Sequence, residues 1–341
     1  MSMRPRERFL NALRGEAVDR PCVGTPTSIA TTDLMESEDC TFPEVHTNGE
    51  KMAKLAAVGH EVLGYDTVAP YFSVINEAAA LGANMSWGDM SHMPAVRRPY
   101  LFEEPEDFHI PPDFLERVPT RAVLEAISLL RQRFGDEVAI IGKVFGPWTL
   151  AYHLFGIEEF LVLTLDNPGK VRRILDALKE VTLVFAQAQI EAGADCLTLG
   201  DHLTGDLCRA EMYRDYLLPV HQELSRHIDC PIILHICGFT LDRLDYIADS
   251  GFAAFHFDSR NDAREAMAIA GERIKLAGNV SNVPSIVSGD QQSIEEQVSY
   301  AIDAGVAVIG PECAVPLNAN SEALRWIVDA ASRASGGGLS G

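Results

Sequence analysis

The chain has 341 residues, 47% of them hydrophobic, and 49 acidic against 28 basic side chains give a formal charge of -21. That acidity argues against nucleic acid as a partner, since neutralising phosphates needs Lys/Arg clusters, and no apolar run approaches the roughly 20 residues of a membrane span. The charged start, Met1 to Arg8, has no apolar signal-peptide region behind it, and seven scattered cysteines read as reduced thiols of a cytoplasmic protein.

In chain order, Phe9, Leu10 and Leu13 give residues 4–20 a short helical stripe that Gly15 can cap. A strand is expected over 21–24. Residues 25–48, rich in Thr, Ser and Asp, have no clean period and read as a long loop over an active site. A helix over 49–63 closes at Gly64, and a strand follows over 66–71. In residues 73–120 a helical piece, Glu77 to Leu81, gives way to prolines at 94, 99, 105, 111 and 112 that read as excursion loops with a small hairpin. A helix from Arg121 to Phe134 leads into Val138–Val144, a continuous apolar run of the kind found in strands buried on both faces.

From there the order is regular. Helices over 157–164, 167–192, 209–228, 239–250, 261–271 and 291–304 alternate with strands over 196–199, 232–236, 253–257, 274–277 and 306–309. A last helix covers 320–334, and Ser335 to Gly341 is a flexible tail. Ala192-Gly193-Ala194, Ser250-Gly251-Phe252 and Ala304-Gly305-Val306 mark three helix-to-strand junctions, where a glycine ends the helix. Eight strands, each followed by helical pattern, predict an α/β fold, a (β/α)8 TIM barrel with N-terminal helical and loop extensions. It forms a single domain over 1–334. An open doubly wound sheet is the alternative, but no glycine-rich phosphate fingerprint follows any strand.

In such barrels the active site lies at the C-terminal ends of the strands. There the chain concentrates Asp201 and His202, His235 and Cys237, Asp258, Asn279, and Glu312 and Cys313. Residues i and i+2 of a strand share a face, so His235 and Cys237 project side by side. Cys313, after strand eight, can meet them over the mouth. One imidazole and two thiolates suit zinc and leave one position open, the pattern of a catalytic site. Taken singly, a strand-end His is more often a rim residue and a buried Cys a small hydrophobe; the case rests on all three lying at one end. Two thiolates cancel the zinc charge, which leaves a weak Lewis acid for hydrolysis but a good holder of an incoming thiol as thiolate. The expected reaction is thiolate attack on an electrophilic carbon. Asp201, Asp258 and Glu312 are candidates for supporting the ligands or supplying a fourth, or else for capping helices. His202 is a candidate for substrate binding or acid–base work, or a rim histidine. Lys143 is a candidate interior cation, and Tyr71, Phe145 and Trp148 are candidate pocket walls.

The opening Arg6-Glu7-Arg8-Phe9-Leu10-Asn11-Ala12-Leu13-Arg14-Gly15-Glu16, with Val18-Asp19-Arg20-Pro21, resembles the start of the uroporphyrinogen decarboxylase superfamily. Asn48-Gly49-Glu50-Lys51-Met52, Gly200-Asp201-His202, His235-Ile236-Cys237-Gly238, Phe255-His256-Phe257-Asp258 and Gly310-Pro311-Glu312-Cys313-Ala314-Val315-Pro316 resemble its methylcobamide:coenzyme M methyltransferases of the MtaA/MtbA type. The resemblance implies a (β/α)8 barrel with His235, Cys237 and Cys313 as Zn2+ ligands. It implies methyl transfer from methylcobalamin on a separate corrinoid protein, docked at the barrel mouth, to a thiol such as coenzyme M. Tetrahydrofolate is the alternative acceptor, and a monomer or homodimer is expected. The decarboxylase branch binds its many carboxylates with an arginine-rich loop after the first strand; here that loop, Thr25 to Asp33, has no Arg, and so acidic a chain is ill matched to so anionic a ligand.

Overall fold

The computed structural model describes residues 2–102, 104 and 108–336. Its strands are β1 (Cys22–Val23), β2 (Thr67–Val68), β3 (Met85–Ser86), β4 (Ala95–Val96), β5 (Ala139–Phe145), β6 (Cys196–Gly200), β7 (Ile232–Ile236), β8 (Ala254–Phe257), β9 (Lys275–Val280) and β10 (Val308–Pro311). Eight form one sheet in the order β1-β10-β9-β8-β7-β6-β5-β2, with every pairing parallel. β3 and β4 form a separate antiparallel hairpin between β2 and β5. The fold is a (β/α)8 barrel, as the alternation of patterns predicts.

The seam between β1 and β2 is bridged around one side chain. Asp66 N–H donates to Val23 O at 2.7 Å, and the Asp66 carboxylate accepts from Val23 N–H at 2.9 Å. Arg8 and Arg20 both reach that carboxylate, at 2.6 and 2.7 Å, and Arg8 also holds Asp19 at 2.7 Å. The opening motif is therefore a clamp at the barrel's lower end. Helix Pro5–Arg14 plugs that end: Phe9, Ala12 and Leu13 pack with Cys22, Ala139, Ile141, Cys196, Ile233, Ala254, Ala277 and Val308 in an apolar interior cluster. Burying each large apolar side chain there contributes about 1.5–3 kcal/mol.

The period of two along each strand then changes the character of the interior. One step up the same face, Ile141 gives way to Lys143, Cys196 to Thr198, Ile233 to His235, Ala254 to His256 and Ala277 to Asn279. Leu234, Ile236, Phe255 and Phe257 point the other way, into the cluster shared with the helices. The barrel thus has an apolar floor and a polar upper layer.

The structure departs from expectation in places. Helix Pro147–Phe155 follows β5 where only a connection was expected. It is apolar all round and almost wholly buried, so it has no amphipathic stripe to read, and Pro147 at its start is a favourable first position, not a break. The loop 25–48 carries a short helix, Thr32–Ser37, and is tied to the far end of the chain by Thr32 N–H to Leu317 O at 2.8 Å. Helix 209–228 holds a π-turn at Tyr213–Leu217, and 239–250 is a short helix, Leu244–Ala248, behind a 3-10 turn. Of the expected tail, residues 335–336 end the last helix, Ser321–Gly336, and 337–341 lie outside the described residues, as does Pro105. Among the described residues no helix is long and apolar enough to cross a membrane.

Candidate metal and active site at the barrel mouth

β7 brings His235 and Cys237 up the same face, and β10 delivers Cys313 just past its end. His235 Nε2 lies 3.1 Å from Cys237 Sγ and 3.4 Å from Cys313 Sγ, and the two sulfurs are 3.0 Å apart. Tetrahedral zinc with Zn–S of about 2.3 Å and Zn–N of about 2.0 Å needs donor separations near 3.5–3.8 Å, so an outward shift of a few tenths of an ångström would accommodate the ion. His235 is buried, while both sulfurs are half-buried and reach the mouth.

The surroundings favour ligation by the right atoms. His235 Nδ1 faces the backbone oxygen of His256 at 3.4 Å. Donation there fixes the tautomer and turns the Nε2 lone pair toward the sulfurs. His256, its ring centroid 4.6 Å away, is held by Pro311 O at 2.8 Å. Asp258 accepts from Gly238 N–H at 2.9 Å and from Arg260 N–H at 2.9 Å, so it shapes the turn behind Cys237. Glu312 accepts from Asn282 N–H at 2.6 Å and from Ser259 N–H at 3.0 Å, so it ties β10's end to the neighbouring loops.

The sulfurs share one proton unequally. The Cys237 S–H holds the Cys313 thiol well below the usual cysteine range, with His235 adding to the effect. The same contact, with burial and the nearby Asp258 and Glu312 charges, pushes Cys237 well above it. One thiolate forms readily; two together call for a cation between them. That is the chemistry of a donor set that fits a divalent metal.

A model of the uroporphyrinogen decarboxylase (URO-D) family matches residues 4–334. The chain belongs to the uroporphyrinogen decarboxylase family. Within that family it is 32% identical to the methylcobamide:CoM methyltransferase MtaA of Methanosarcina barkeri, over 90% of this chain and 91% of that one. It is 30% identical to the MtbA enzyme of the same description from Methanosarcina acetivorans, over 96% and 97%. A solved methyltransferase from Methanosarcina mazei superposes with a TM-score of 0.94 at 30% identity, covering 97% of this chain and 99% of that one.

Among the other residues singled out in the sequence, His202 stands nearest the three donors. Its ring is 5.7 Å from that of His235, edge-on, and one ligand atom each from His202, His235 and Cys237 lie within 4.8 Å of one another. Burial and the neighbouring His235 push its pKa down to about 3, so it is neutral. Asp201 is turned away: it accepts from Thr149 N–H at 2.8 Å, capping the helix that follows β5, and from His221 Nε2 at 3.0 Å. Asn279 donates to Asn261 O at 3.1 Å and lines a side cleft with Ser259 and Tyr300. Tyr71 is buried and donates to Glu77. Phe145 lies 6.4 Å from the His202 ring, whereas Trp148 packs among Phe160, Tyr152 and Tyr216, outside the barrel.

The sequence reading assigns no site role to four residues of this region. His256 is one; the alternation Phe255-His256-Phe257 could have placed it inside the barrel. Glu77 was read only as part of a helix, yet it is wholly buried beside Tyr71. His46 and His153 sit in a segment without period and in the helix that was missed, so no local pattern points to either.

Proposed function

We propose that this protein is a methyltransferase that moves a methyl group from a methylated corrinoid protein to a small thiol of the coenzyme M kind, with zinc held by His235, Cys237 and Cys313. The convergence of one imidazole nitrogen and two sulfurs within 3.4 Å, at the open end of the barrel, carries this reading. The names of its relatives, methylcobamide:CoM methyltransferases, supply the substrate pair. Bound zinc would supply a lowered pKa for the substrate thiol, which makes its sulfur anionic at neutral pH.

The chain's own residues do the rest. Cys237 and Cys313 contribute two negative charges, so the centre stays close to neutral and the substrate sulfur keeps its electron density. His235 adds an imidazole donor whose orientation His256 fixes through its carbonyl. His202 offers a neutral ring beside the site, able to contact the substrate. In the overall reaction a sulfur–carbon bond forms and the carbon–cobalt bond breaks. The electron pair stays with the corrinoid, and the thiol proton leaves to solvent. Seven free cysteines fit a reducing, cytoplasmic setting.

The test is metal analysis of purified protein, followed by an assay of methylcobalamin consumption with 2-mercaptoethanesulfonate before and after chelation. Zinc-dependent turnover is expected. Porphyrinogen decarboxylation, the reaction named by the family, would instead be indifferent to chelator and to Cys237→Ala.

A further inference from the structure

The barrel's upper layer holds a cation with no acceptor or counter-charge in contact among the described residues. Lys143 rises from β5 and is 7% exposed. Among the described residues its ammonium has no hydrogen-bond acceptor and no ion pair; it rests against the ring faces of Tyr71 at 4.8 Å and Phe145 at 5.9 Å. The carboxyl nearest in charge is occupied: Glu77 accepts from Phe145 N–H at 3.0 Å and from the Tyr71 hydroxyl, and burial raises its pKa to about 7. Burial likewise brings Lys143 down to about 8. An ammonium left this way carries a desolvation cost that a bound anion would offset.

A second orphan, His46, stands in the same neighbourhood: Asn76 donates its side-chain amide to His46 O at 3.3 Å and its backbone N–H at 2.9 Å to the hydroxyl of Tyr71, the ring on which Lys143 rests. His46 is fully buried, clamped between Phe42 at 4.1 Å and Trp87 at 5.9 Å, ring centroid to ring centroid. Neither ring nitrogen has a partner, and these two atoms are among only five buried side-chain nitrogens and oxygens so left in the described residues. Burial first and the Lys143 charge second push its pKa to about 3, so His46 is neutral and has a free N–H donor. Phe145 links this group to the sulfur site: its ring lies 5.9 Å from the Lys143 ammonium and 6.4 Å from the His202 ring, itself 5.7 Å from that of His235. In register, Phe145 pairs with Gly200 and Gly200 with His235, so Lys143 is rooted one side-chain layer below His235 and two strands across.

We propose that Lys143 and His46 form an anion subsite that seats the charged end of a short thiol substrate, a sulfonate or carboxylate, while its sulfur faces His235, Cys237 and Cys313. The proposal rests on the thiol-transfer reading for the identity of the ligand, but not for the existence of the anion site.

The experiment separates the two. Calorimetric titration with sodium ethanesulfonate, which has no thiol, is run on the wild-type protein and on Lys143→Met, Lys143→Arg and His46→Gln. Turnover of methylcobalamin is then compared for 2-mercaptoethanesulfonate, 3-mercaptopropionate and neutral 2-mercaptoethanol. The wild type should bind ethanesulfonate, Lys143→Met should bind it roughly 30-fold more weakly, and Lys143→Arg should recover most of the loss. KM for the anionic thiols should rise by a similar factor in Lys143→Met, with 2-mercaptoethanol little changed; the mercaptopropionate arm tells whether a carboxylate serves as well as a sulfonate. His46→Gln gives an independent reading should the lysine variant fold poorly. Lys143-dependent ethanesulfonate binding without any thiol methylation would sink the methyl-transfer reading and leave the anion site standing. Equal ethanesulfonate affinity in all variants, no binding by the wild type, or equal losses with charged and neutral thiols would overturn the proposal.

Discussion

Cys237 and Cys313, 76 residues apart in the chain, bring their sulfurs to 3.0 Å of one another and to within 3.4 Å of His235 Nε2. Because a dithiolate at that spacing needs a cation, Cys313→Ala is expected to abolish stoichiometric zinc, read by plasma emission spectrometry on the purified protein. The same proximity makes the metal-free pair a disulfide precursor. Chelated protein treated with diamide should yield a Cys237–Cys313 linked peptide by mass spectrometry, and metal-loaded protein should resist. Full zinc content in Cys313→Ala would remove this residue from the ligand set.

Asp258 acts through the turn behind Cys237, accepting from Gly238 N–H at 2.9 Å. Asp258→Ala should weaken zinc binding by roughly 10–100-fold, the usual cost of losing a group that orients a ligand. Competition with a chromophoric chelator measures it. Unchanged affinity would mean that the turn holds its shape without the carboxylate.

The lower end of the barrel depends on Asp66, which is fully buried and joined to Arg8, Arg20 and Val23 N–H. Asp66→Ala removes one of the two carboxylates that hold buried Arg8, takes the acceptor from Val23 N–H and loosens the β1–β2 seam. A loss of about 3–5 kcal/mol in urea unfolding is expected, with zinc affinity little changed, because the metal site lies at the opposite end. A loss below about 1 kcal/mol, the scale of an exposed pair, would show the clamp to be dispensable.

His153 is half-buried beside Phe145, its pKa pushed down to about 4 by the loss of solvent around its ring. The folded protein keeps it neutral while the unfolded chain takes up a proton below about 6.5. The unfolded state therefore binds more protons between those values, and stability falls as pH drops through that window, by about 1.4 kcal/mol per unit for this group. Above pH 6.5 the group contributes no slope. Thermal unfolding of wild type and His153→Gln at pH 7 and 5 should show a smaller acid-induced decrease in the variant; equal decreases would place the sensitivity elsewhere.

The sequence by itself determined the alternation of strands and helices, because each element's burial is written in its own period. Residues 291–304 form the helix Gln291–Ala304 with no change of boundary, and the apolar run Val138–Val144 is met by Ala139–Phe145. It also determined that His235 and Cys237 share a face, since a strand alternates sides at every residue. Helix Pro147–Phe155 was illegible for the complementary reason: buried on all sides, it carries no stripe. What only the tertiary structure decided is which distant groups meet. Barrel closure, tilt and register bring Cys313 to His235, spend Asp201 on the cap of a helix and on His221, set Lys143 against two aromatic rings, and leave the His46 ring nitrogens without partners among the described residues. Local periodicity encodes the face a residue occupies, but whether a buried polar atom is satisfied depends on neighbours far away in the chain, and those are fixed only when the sheet closes.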